Sequence, residues 1–335
     1  MMRATGQLAV LILILPLLGA CSGADTSTAP AATTSANSVQ ATTGGASEKL
    51  PVVATYSILG DMVAQVGGNH IQLTTLVGPG GDAHTFEPSP EDGRALARAK
   101  LVFENGLEFE PWLDDLFTAS GSGAVRVVVS QGIEALPAPE EHHGDEGHAE
   151  GENHREGEFD PHIWHDVNNV ISMVETMRAG LAAADPANAA NYQANATTYI
   201  AALKELDSFV QEQVETLPAA RRKLVTSHDT FGYFAKRYGF EIVGTALGVS
   251  TEAADPSAAE IATLVSEIKA AGVPAIFAEN VSNPQLIETI ADEAGVKLGP
   301  PLYTDALGES GTPGATYIEM MRYNVTTIVT ALKGE

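Results

Sequence analysis

Residues 186–217 read PANAANYQANATTYIAALKELDSFVQEQVETL, a stretch without glycine that lies between Asp185 and Pro218. Its large apolar side chains recur at steps of three, four or seven residues, which is typical of one face of a helix. They are Tyr192, Tyr199, Leu203, Leu206, Val210, Val214 and Leu217. With Asp185 as N-cap, Pro186 as first helical residue and Pro218 as stop, the stretch predicts one long helix. At 1.5 Å per residue it would extend roughly 48 Å, enough to bridge two lobes and to limit how far they open.

Short β-branched runs alternate with helix-like segments on both sides of this helix. Upstream, the predicted strands are 51–57, 71–77, 101–103 and 125–130, with helices at 58–66 and 91–99. Downstream, the predicted strands are 223–226, 241–247 and 274–278, with helices near 256–271, 284–294 and 315–332. The alternation predicts an α/β fold of two lobes, residues 49–185 and 218–335. Each lobe would contain a mainly parallel sheet flanked by helices, and the rigid helix 186–217 would join them.

The N-terminus carries the signals of a secreted and lipid-anchored protein. Arg3 precedes an apolar stretch, Leu8 to Leu18, that is too short to span a bilayer comfortably. The stretch ends in Leu-Gly-Ala-Cys at residues 18–21, which resembles a bacterial lipobox, and Cys21 is the only cysteine of the chain. We therefore expect residues 1–21 to be a lipoprotein signal peptide with Cys21 as the lipid attachment point. An ordinary signal peptide that happens to end in cysteine is the alternative.

Residues 22–48 are composed almost wholly of small and polar side chains, which predicts a disordered tether. The protein body would then lie outside the cytoplasm, in the periplasm or at the outer face of the plasma membrane, held to the membrane by its lipid. The apolar stripe of 186–217 covers few heptads and is flanked by alanine, so we expect a monomer rather than a coiled-coil dimer.

The charge of the chain limits its partners. Lys and Arg total 18 against 43 Asp and Glu, so the formal net charge is -25. A field of that sign argues against nucleic acid or an anionic membrane face as a partner, and it attracts cations. A role of the acidic residues in solubility alone is the other interpretation.

A histidine-rich segment lies inside the first predicted lobe. Residues 138–159 contain His142, His143, His148 and His154 among eight acidic side chains, and they contain no Leu, Ile, Val or Met. Such a segment cannot bury itself, so it predicts a long mobile loop. Its imidazoles and carboxylates suit weak, fast binding of borderline divalent cations such as zinc. A plain solvated acidic loop is the alternative.

Three other histidines and one aspartate follow predicted strands or apolar segments, at the edge where open parallel sheets bind ligands. His84 stands in a turn-rich loop after strand 71–77, and His228 follows strand 223–226. His162 stands in Asp-Pro-His-Ile-Trp directly after the histidine-rich segment, and Asp305 follows the apolar segment 296–303. Taken singly, each histidine is more often a hydrogen-bonded core or surface residue than a metal ligand.

Five segments resemble, in order, the zinc- and manganese-binding solute-binding proteins of ABC importers. They are GDAHTFEPSP (81–90), DPHIWHD (160–166), SHDTFGYFAKRYG (227–239), IFAENVSNPQ (276–285) and YTDALG (303–308). The resemblance runs from about residue 50 to the C-terminus. It implies two α/β lobes joined by one rigid helix, and a metal held in the cleft by one ligand from each of four segments. Carried over residue by residue, it implies His84, His162, His228 and Asp305 as the ligands.

The resemblance also bears on the metal and on neighbouring residues. Relatives that prefer manganese often carry glutamate where this chain has His228, so the histidine favours zinc. His165 stands where many relatives have leucine, and it is either an extra donor or a packed residue. Glu279 is either an acceptor behind the ligands or a purely structural residue. Ala83 replaces a common proline, and His70 is interpreted as a turn residue.

Three neutral imidazoles and one carboxylate suit four-coordinate zinc, with bonds of about 2.0 to 2.2 Å. Manganese prefers more oxygen donors. Because imidazole binds metal only when deprotonated, capture should weaken as the pH falls toward about 6.5 and below. These donors predict a high-affinity zinc-binding component of an ABC importer that delivers the ion to a separate permease with its separate ATPase.

Alternatives to this function are a manganese-specific protein of the same family and a zinc hydrolase. Four protein ligands leave no position for a catalytic water, and the sequence has no H-E-x-x-H or G-x-S-x-G motif, so we do not expect an enzyme. Adhesion to a host surface, a role assigned to some relatives, is neither indicated nor excluded by the sequence.

Overall fold

The computed structural model of the chain describes residues 48–138, 158–251 and 256–334, which belong to one compact unit, residues 46–335. The predicted lipid attachment point Cys21, nearly all of the predicted tether and the histidines His142, His143, His148 and His154 lie outside the described residues. No helix within the described ranges is both long enough and apolar enough to span a membrane.

The first lobe contains a parallel four-stranded sheet with the strand order β2-β1-β3-β4. Its strands are β1 (Leu50–Tyr56), β2 (Ile71–Val77), β3 (Leu101–Glu104) and β4 (Val125–Val128). Its helices are α1 (Ser57–Gly67), α2 (Pro90–Arg98), α3 (Leu113–Ser120) and α4 (Val167–Ala184). The strands lie close to the predicted positions, although β4 ends two residues earlier than expected. The helices α3 and α4 were not predicted.

Residues on both faces of β1 are buried, as expected for the middle of a parallel sheet covered by helices. Val52 and Ala54 belong to the main hydrophobic core, which also contains residues of α1 and α4. Val53 points to the opposite face and packs in a smaller core with residues of α2 and α3. Because all four strands run parallel, the loops that follow them meet at one edge of the sheet.

One long helix, α5 (Ala189–Glu215), follows the first lobe. It is shorter than predicted at both ends, because residues 186–188 form a single 3-10 turn and Thr216 is its C-cap. Asp185 makes no N-cap hydrogen bond. Its carboxylate instead accepts hydrogen bonds from Asn188 Nδ2 at 2.7 Å and from the Tyr192 hydroxyl at 2.8 Å. The helix of 27 residues is therefore about 40 Å long.

The described part of the second lobe, residues 218–251 and 256–334, contains four strands and four helices. The strands are β5 (Lys223–Thr226), β6 (Glu241–Thr245), β7 (Ala275–Glu279) and β8 (Lys297–Leu302). The helices are α6 (Gly232–Tyr238), α7 (Ala258–Ala271), α8 (Gln285–Ala294) and α9 (Tyr317–Lys333). Within the described residues the strands form two parallel hydrogen-bonded pairs, β5-β6 and β7-β8, and β5 lies beside β7. The predicted α/β class with parallel sheets flanked by helices is confirmed, but this sheet is divided into pairs.

The apolar stripe of α5 joins the two lobes through one core. Every stripe residue predicted from the sequence is buried, and α5 packs against α1 and α4 of the first lobe and against α9 of the second. A separate core lies beneath α7 and α8 and includes Ile268, Ile276 and Ile287. Most of the molecule thus packs around α5, whereas the outer part of the second lobe has its own core.

Leu203 is fully buried in the middle of the α5 stripe, so its truncation tests the contribution of this helix to stability. We expect Leu203→Ala to lower the free energy of unfolding by about 2–5 kcal/mol, because it leaves a cavity in the shared core. The exposed neighbour Glu205 supplies a matched control, and Glu205→Ala should change this free energy by less than about 0.5 kcal/mol. Urea denaturation followed by circular dichroism measures the free energy of unfolding of both variants. Equal losses in the two variants would contradict the contribution of buried Leu203 to the shared core.

Candidate metal centre

The loop after β2 carries His84 to the carboxyl edge of the first sheet. The backbone N–H of His84 donates to Asp82 Oδ1 at 2.9 Å, and the indole N–H of Trp112 donates to the carbonyl of Ala83 at 2.8 Å. The imidazole meets the ring of Phe109 edge to face, with the ring centroids 4.8 Å apart. These contacts fix the ring of His84 and leave its Nε2 facing His162 and Asp305.

His162 precedes a short 3-10 turn, residues 163–165, that leads into α4. Asp160 Oδ1 accepts the backbone N–H of His162 at 2.9 Å and lies 2.8 Å from its Nδ1. A carboxylate at Nδ1 favours the tautomer whose Nε2 is unprotonated and free to bind a metal. The sequence analysis gave Asp160 no role beyond its place in the segment 160–166. Its position two residues before His162 is the feature that could have indicated this contact.

His228 follows β5 and is held by the carboxylate at the end of β7. Glu279 Oε1 accepts the backbone N–H of His228 at 2.9 Å, and Glu279 Oε2 contacts His228 Nδ1. Thr304 also donates its hydroxyl to Glu279 Oε2 at 3.3 Å. Glu279 therefore lies behind His228, on the side of the ring opposite Nε2, and contacts both its backbone and its imidazole.

Asp305 lies in the loop after β8, and this loop is hydrogen bonded to the first lobe. The indole N–H of Trp164 donates to the carbonyl of Thr304 at 2.9 Å. The N–H of Leu307 donates to the hydroxyl of Ser57 at 2.9 Å, and the N–H of Gly80 donates to the carbonyl of Leu307, also at 2.9 Å. The second lobe holds the same loop, because Asn280 accepts the N–H of Thr304 and donates to the carbonyl of Ala306, both at 3.0 Å, so the backbone of Asp305 is positioned by both lobes.

The structure brings His84, His162, His228 and Asp305 together, with one candidate ligand atom from each within 4.8 Å of the others. His84 is 5% exposed and the other three are fully buried. His162 Nε2 lies 3.4 Å from the Nε2 atoms of both His84 and His228. Asp305 Oδ2 lies 3.5 Å from His84 Nε2 and 3.1 Å from His228 Nε2. A tetrahedron with bonds of 2.0 to 2.1 Å has edges of about 3.3 to 3.4 Å, so these separations suit one four-coordinate ion.

Asp305 Oδ2 is one of the buried polar atoms that lack a hydrogen bond of acceptable geometry, in spite of its 3.1 Å separation from His228 Nε2. A buried carboxylate oxygen without a partner is costly. A cation bound among the three imidazole nitrogens would satisfy this oxygen, so the donor set fits a divalent metal.

Opposite charges perturb the titration of this cluster. Burial by itself lowers the pKa of His228, but the carboxylates of Glu279 and Asp305 overcome that effect and raise the pKa well above its usual value. Burial by itself raises the pKa of Asp305, but the imidazoles of His228 and His162 hold it well below its usual value. The site therefore attracts positive charge, whether a proton or a metal ion.

The remaining histidines of the described residues lie outside this group. His165 is fully buried, its Nε2 lies 3.2 Å from Thr230 Oγ1, and burial lowers its pKa to about 3. His70 is partly exposed and packs beside the ring of Tyr192. The sequence missed Thr230, which donates to Asp305 Oδ1 at 3.3 Å, and the aromatic residues Phe109 and Trp164 that pack against His162. Trp164 and Thr230 lie inside two of the segments that carry the family resemblance, which was the available signal, whereas Phe109 lies outside all five segments.

The two ends of the histidine-rich segment are described although its middle is not. Pro137 and Phe159 form an antiparallel bridge, and the N–H of Ala138 donates to the carbonyl of Glu158 at 3.1 Å. The hydroxyl of Tyr233 in α6 accepts the N–H of Leu136 and donates to the carbonyl of Asp160, both at 2.9 Å. The two described ends of the segment are therefore hydrogen bonded to each other, and the second end lies three residues before His162 in the sequence.

Comparison with known proteins agrees with this architecture. A family model described as ZnuA, zinc-uptake complex component A periplasmic, matches residues 52–331. The manganese-binding lipoprotein MntA of Halalkalibacterium halodurans is 36% identical over 285 residues, which cover 85% of this chain and 89% of MntA. The zinc-binding protein TroA of Treponema pallidum is 33% identical over 286 residues, 84% of this chain and 88% of TroA.

Solved structures share the fold. The structure of periplasmic zinc-binding TroA is similar with a TM-score of 0.75 at 32% identity, covering 85% of this chain and 99% of TroA. A manganese-bound mutant of a periplasmic metal-binding protein from Candidatus Liberibacter asiaticus gives a TM-score of 0.75 at 26% identity, covering 85% of this chain and all of that protein. The match of the family model to most of the chain means that this protein belongs to the ZnuA family of metal-binding, substrate-binding components of ABC importers.

Proposed function

We propose that this chain captures a zinc ion outside the cytoplasm with His84, His162, His228 and Asp305 and delivers it to the permease of an ABC importer. The observation that carries the proposal is the group of four buried donor atoms, which lie within 4.8 Å of one another and are separated by 3.1 to 3.5 Å in four of their six pairs. Hydrogen bonds to the backbone or to Nδ1 of each histidine hold its ring, so that Nε2 is available to a metal. Asp305 Oδ2 has no hydrogen bond of acceptable geometry.

Zinc is favoured over manganese by the donor set. Three nitrogens and one oxygen suit zinc in four-coordinate geometry, whereas manganese prefers more oxygen ligands. A nitrogen-rich site also binds zinc more tightly than manganese in the general order of divalent metals. The names of relatives divide between the two metals, MntA being named for manganese and TroA for zinc, so manganese import is the second candidate.

We favour capture over catalysis because of the number of protein ligands. A catalytic zinc site normally keeps one position for water and places a general base beside it. Here four side chains approach one point, and the carboxylates Asp160 and Glu279 contact ligand imidazoles rather than an open position. An enclosed site with four protein ligands suits storage and release of an ion.

The roles that we propose for the N-terminus and the histidine-rich segment in delivery of the ion are taken from the sequence. Cys21 would carry the lipid that holds the protein at the outer face of the membrane, and residues 22–48 would tether the body. The permease and its ATPase would be separate chains, and the protein would act as a monomer. The histidines at 142, 143, 148 and 154 would bind zinc weakly and raise its local supply next to the cleft.

The ligand assignment is tested by metal titration of the purified, metal-stripped full chain against a competing chelator. We expect the parent chain to bind zinc more tightly than manganese. We expect His228→Ala to weaken the tightest zinc site at least about 100-fold, equal to about 2.7 kcal/mol of binding free energy. The reason is that this change removes one of the four donor atoms.

His70 provides the matched control. It is a histidine that packs beside Tyr192 and is not among the four candidate ligands. His70→Ala should leave zinc affinity within about twofold. Zinc affinity within twofold of the parent in His228→Ala would refute the assigned site. Tighter binding of manganese than of zinc by the parent would favour the second candidate.

The role of Glu279 is tested by Glu279→Gln. This change removes the charge from a side chain that accepts from His228 at two atoms, so the imidazole loses orientation and basicity. Loss of such a partner typically costs about 10- to 100-fold in metal affinity, and we expect a fall in that range by the same titration. Glu288→Gln, on the exposed face of α8, is the control that keeps affinity. Equal behaviour of the two variants would show that Glu279 has only a structural role.

The contribution of the histidine-rich segment is tested by replacing residues 139–157 with Asn-Gly. The bridge between Pro137 and Phe159 brings the two ends together, so a two-residue turn can join them. We expect the number of weakly bound zinc ions to fall while the affinity of the tightest site stays within about threefold. Calorimetric titration measures both, and loss of the tight site would mean that the segment, rather than the cleft, holds the ion.

A further inference from the structure

His165 is a buried histidine for which zinc binding by the four ligands provides no role. Its side chain is fully buried, and its ring lies against Phe231 with a centroid separation of 4.5 Å and beside Trp164 at 5.7 Å. Its Nδ1 is among the buried polar atoms that lack a partner, and its Nε2 lies 3.2 Å from Thr230 Oγ1. The two aromatic rings therefore fix the imidazole with one nitrogen directed at Thr230.

Thr230 connects His165 to the candidate ligand Asp305. Thr230 lies in the loop between β5 and α6, where its own N–H donates to the carbonyl of His228 at 3.1 Å. Its hydroxyl is fully buried and donates to Asp305 Oδ1 at 3.3 Å. One hydroxyl thus touches the imidazole on one side and the carboxylate on the other.

The carboxylate determines the direction of both hydrogen bonds. An ionised carboxylate only accepts hydrogen bonds, and a threonine hydroxyl has a single proton to donate. The Thr230 proton therefore points to Asp305 Oδ1, and the hydroxyl oxygen accepts from His165 Nε2–H. This assigns the proton of the neutral imidazole to Nε2 and leaves Nδ1, which makes no hydrogen bond, without a proton.

We propose that His165 and Thr230 are positioning residues for the metal site, which orient the carboxylate of Asp305 through a chain of two hydrogen bonds and thereby favour a four-coordinate ion such as zinc. The chain occupies Oδ1 and leaves Oδ2 to the metal. Oδ2 is also the oxygen that approaches two of the imidazoles, at 3.1 Å from His228 Nε2 and 3.5 Å from His84 Nε2, while Oδ1 lies 3.7 Å from His162 Nε2. The inference deepens the proposed function and depends on it.

The consequence is a preference between metals. A carboxylate that binds through one oxygen completes a four-coordinate set with three imidazoles, which suits zinc. A carboxylate free to rotate can bind through both oxygens and raise the coordination number, which suits manganese. The hydrogen-bonded chain therefore acts on selectivity as well as on affinity.

The inference is tested with Thr230→Val, which keeps the shape of the side chain and removes the hydroxyl, and with Thr230→Ser, which restores it. Zinc, manganese and cobalt(II) are titrated separately into the metal-stripped full chain, and the visible absorption of bound cobalt reports coordination number. We expect Thr230→Val to weaken zinc binding about 10-fold, to reduce the preference for zinc over manganese, and to shift bound cobalt from a four-coordinate toward a higher-coordinate spectrum. Thr230→Ser should recover most of the affinity and the parent spectrum.

The participation of His165 is tested by His165→Leu, alone and combined with Thr230→Val. If His165 acts through Thr230, the single change weakens zinc binding but adds little in the Thr230→Val background, because the chain is already broken. Additive effects of the two changes would refute the chain. Thr289→Val on the exposed face of α8 controls for the chemical change itself and should alter neither affinity nor spectrum.

Structural damage and failure of the proposed function give different results. A purely structural role lowers the melting temperature of the metal-free chain without changing the cobalt spectrum or the preference between metals, and that result would overturn the inference. If Thr230→Val binds zinc like the parent while His228→Ala does not, the proposed function stands and this inference fails. If His228→Ala also binds like the parent, the proposed function itself fails.

Discussion

The loop that carries Asp305 is hydrogen bonded to the first lobe, and the rest of the site depends on this attachment. Trp164 donates to the carbonyl of Thr304 on one side of Asp305. On the other side, Leu307 donates its N–H to the Ser57 hydroxyl and accepts the N–H of Gly80. Tyr317, at the start of α9, donates its hydroxyl to the carbonyl of Trp164 at 2.7 Å. A carboxylate from the second half of the chain is thereby fixed beside His84 and His162, which the first half supplies.

The four donors are held from both lobes. His84 and His162 are held by contacts within the first lobe, and His228 is held by Glu279 at the end of β7. Asp305 is held from both sides, because Trp164 donates to the carbonyl of Thr304 and Thr230 donates to Asp305 Oδ1. The strand and helix on either side of His228 pack into the core around α5, whereas residues beneath α7 and α8 form a separate core. A separation of the lobes would therefore break the hydrogen bond from Thr230 to Asp305 and the one from Thr251 to Asp82, which orients the His84 loop.

The sequence predicted the fold class, most strands and the central helix, because their patterns are local. The apolar stripe of 186–217 identified α5, but the bend at residues 186–188 depends on contacts of Asp185 with Asn188 and Tyr192 that a periodicity does not reveal. The division of the second sheet into two pairs, each with a register shift, concerns hydrogen bonding between strands, which the apolar pattern along one strand does not reveal. The four donors were named through resemblance to a family, and the structure places them together. Thr230 and Trp164 lie inside the quoted segments, but they hold Asp305 and the neighbouring Thr304 from 75 and 140 residues away, so the sequence could not show which groups they contact.

Charge explains why a buried polar cluster is tolerated at the junction of two lobes. Asp305 and Glu279 are buried carboxylates, and burial of a charged group is costly unless an opposite charge or hydrogen bonds compensate. Imidazole supplies part of this compensation, because the carboxylates of Glu279 and Asp305 outweigh the effect of burial and raise the pKa of His228. A divalent ion supplies more positive charge at the same point and satisfies Asp305 Oδ2, which otherwise lacks a hydrogen bond of acceptable geometry. The carboxylates that raise the pKa of His228 would therefore also attract a divalent cation, and binding of that cation would displace the proton from the imidazole.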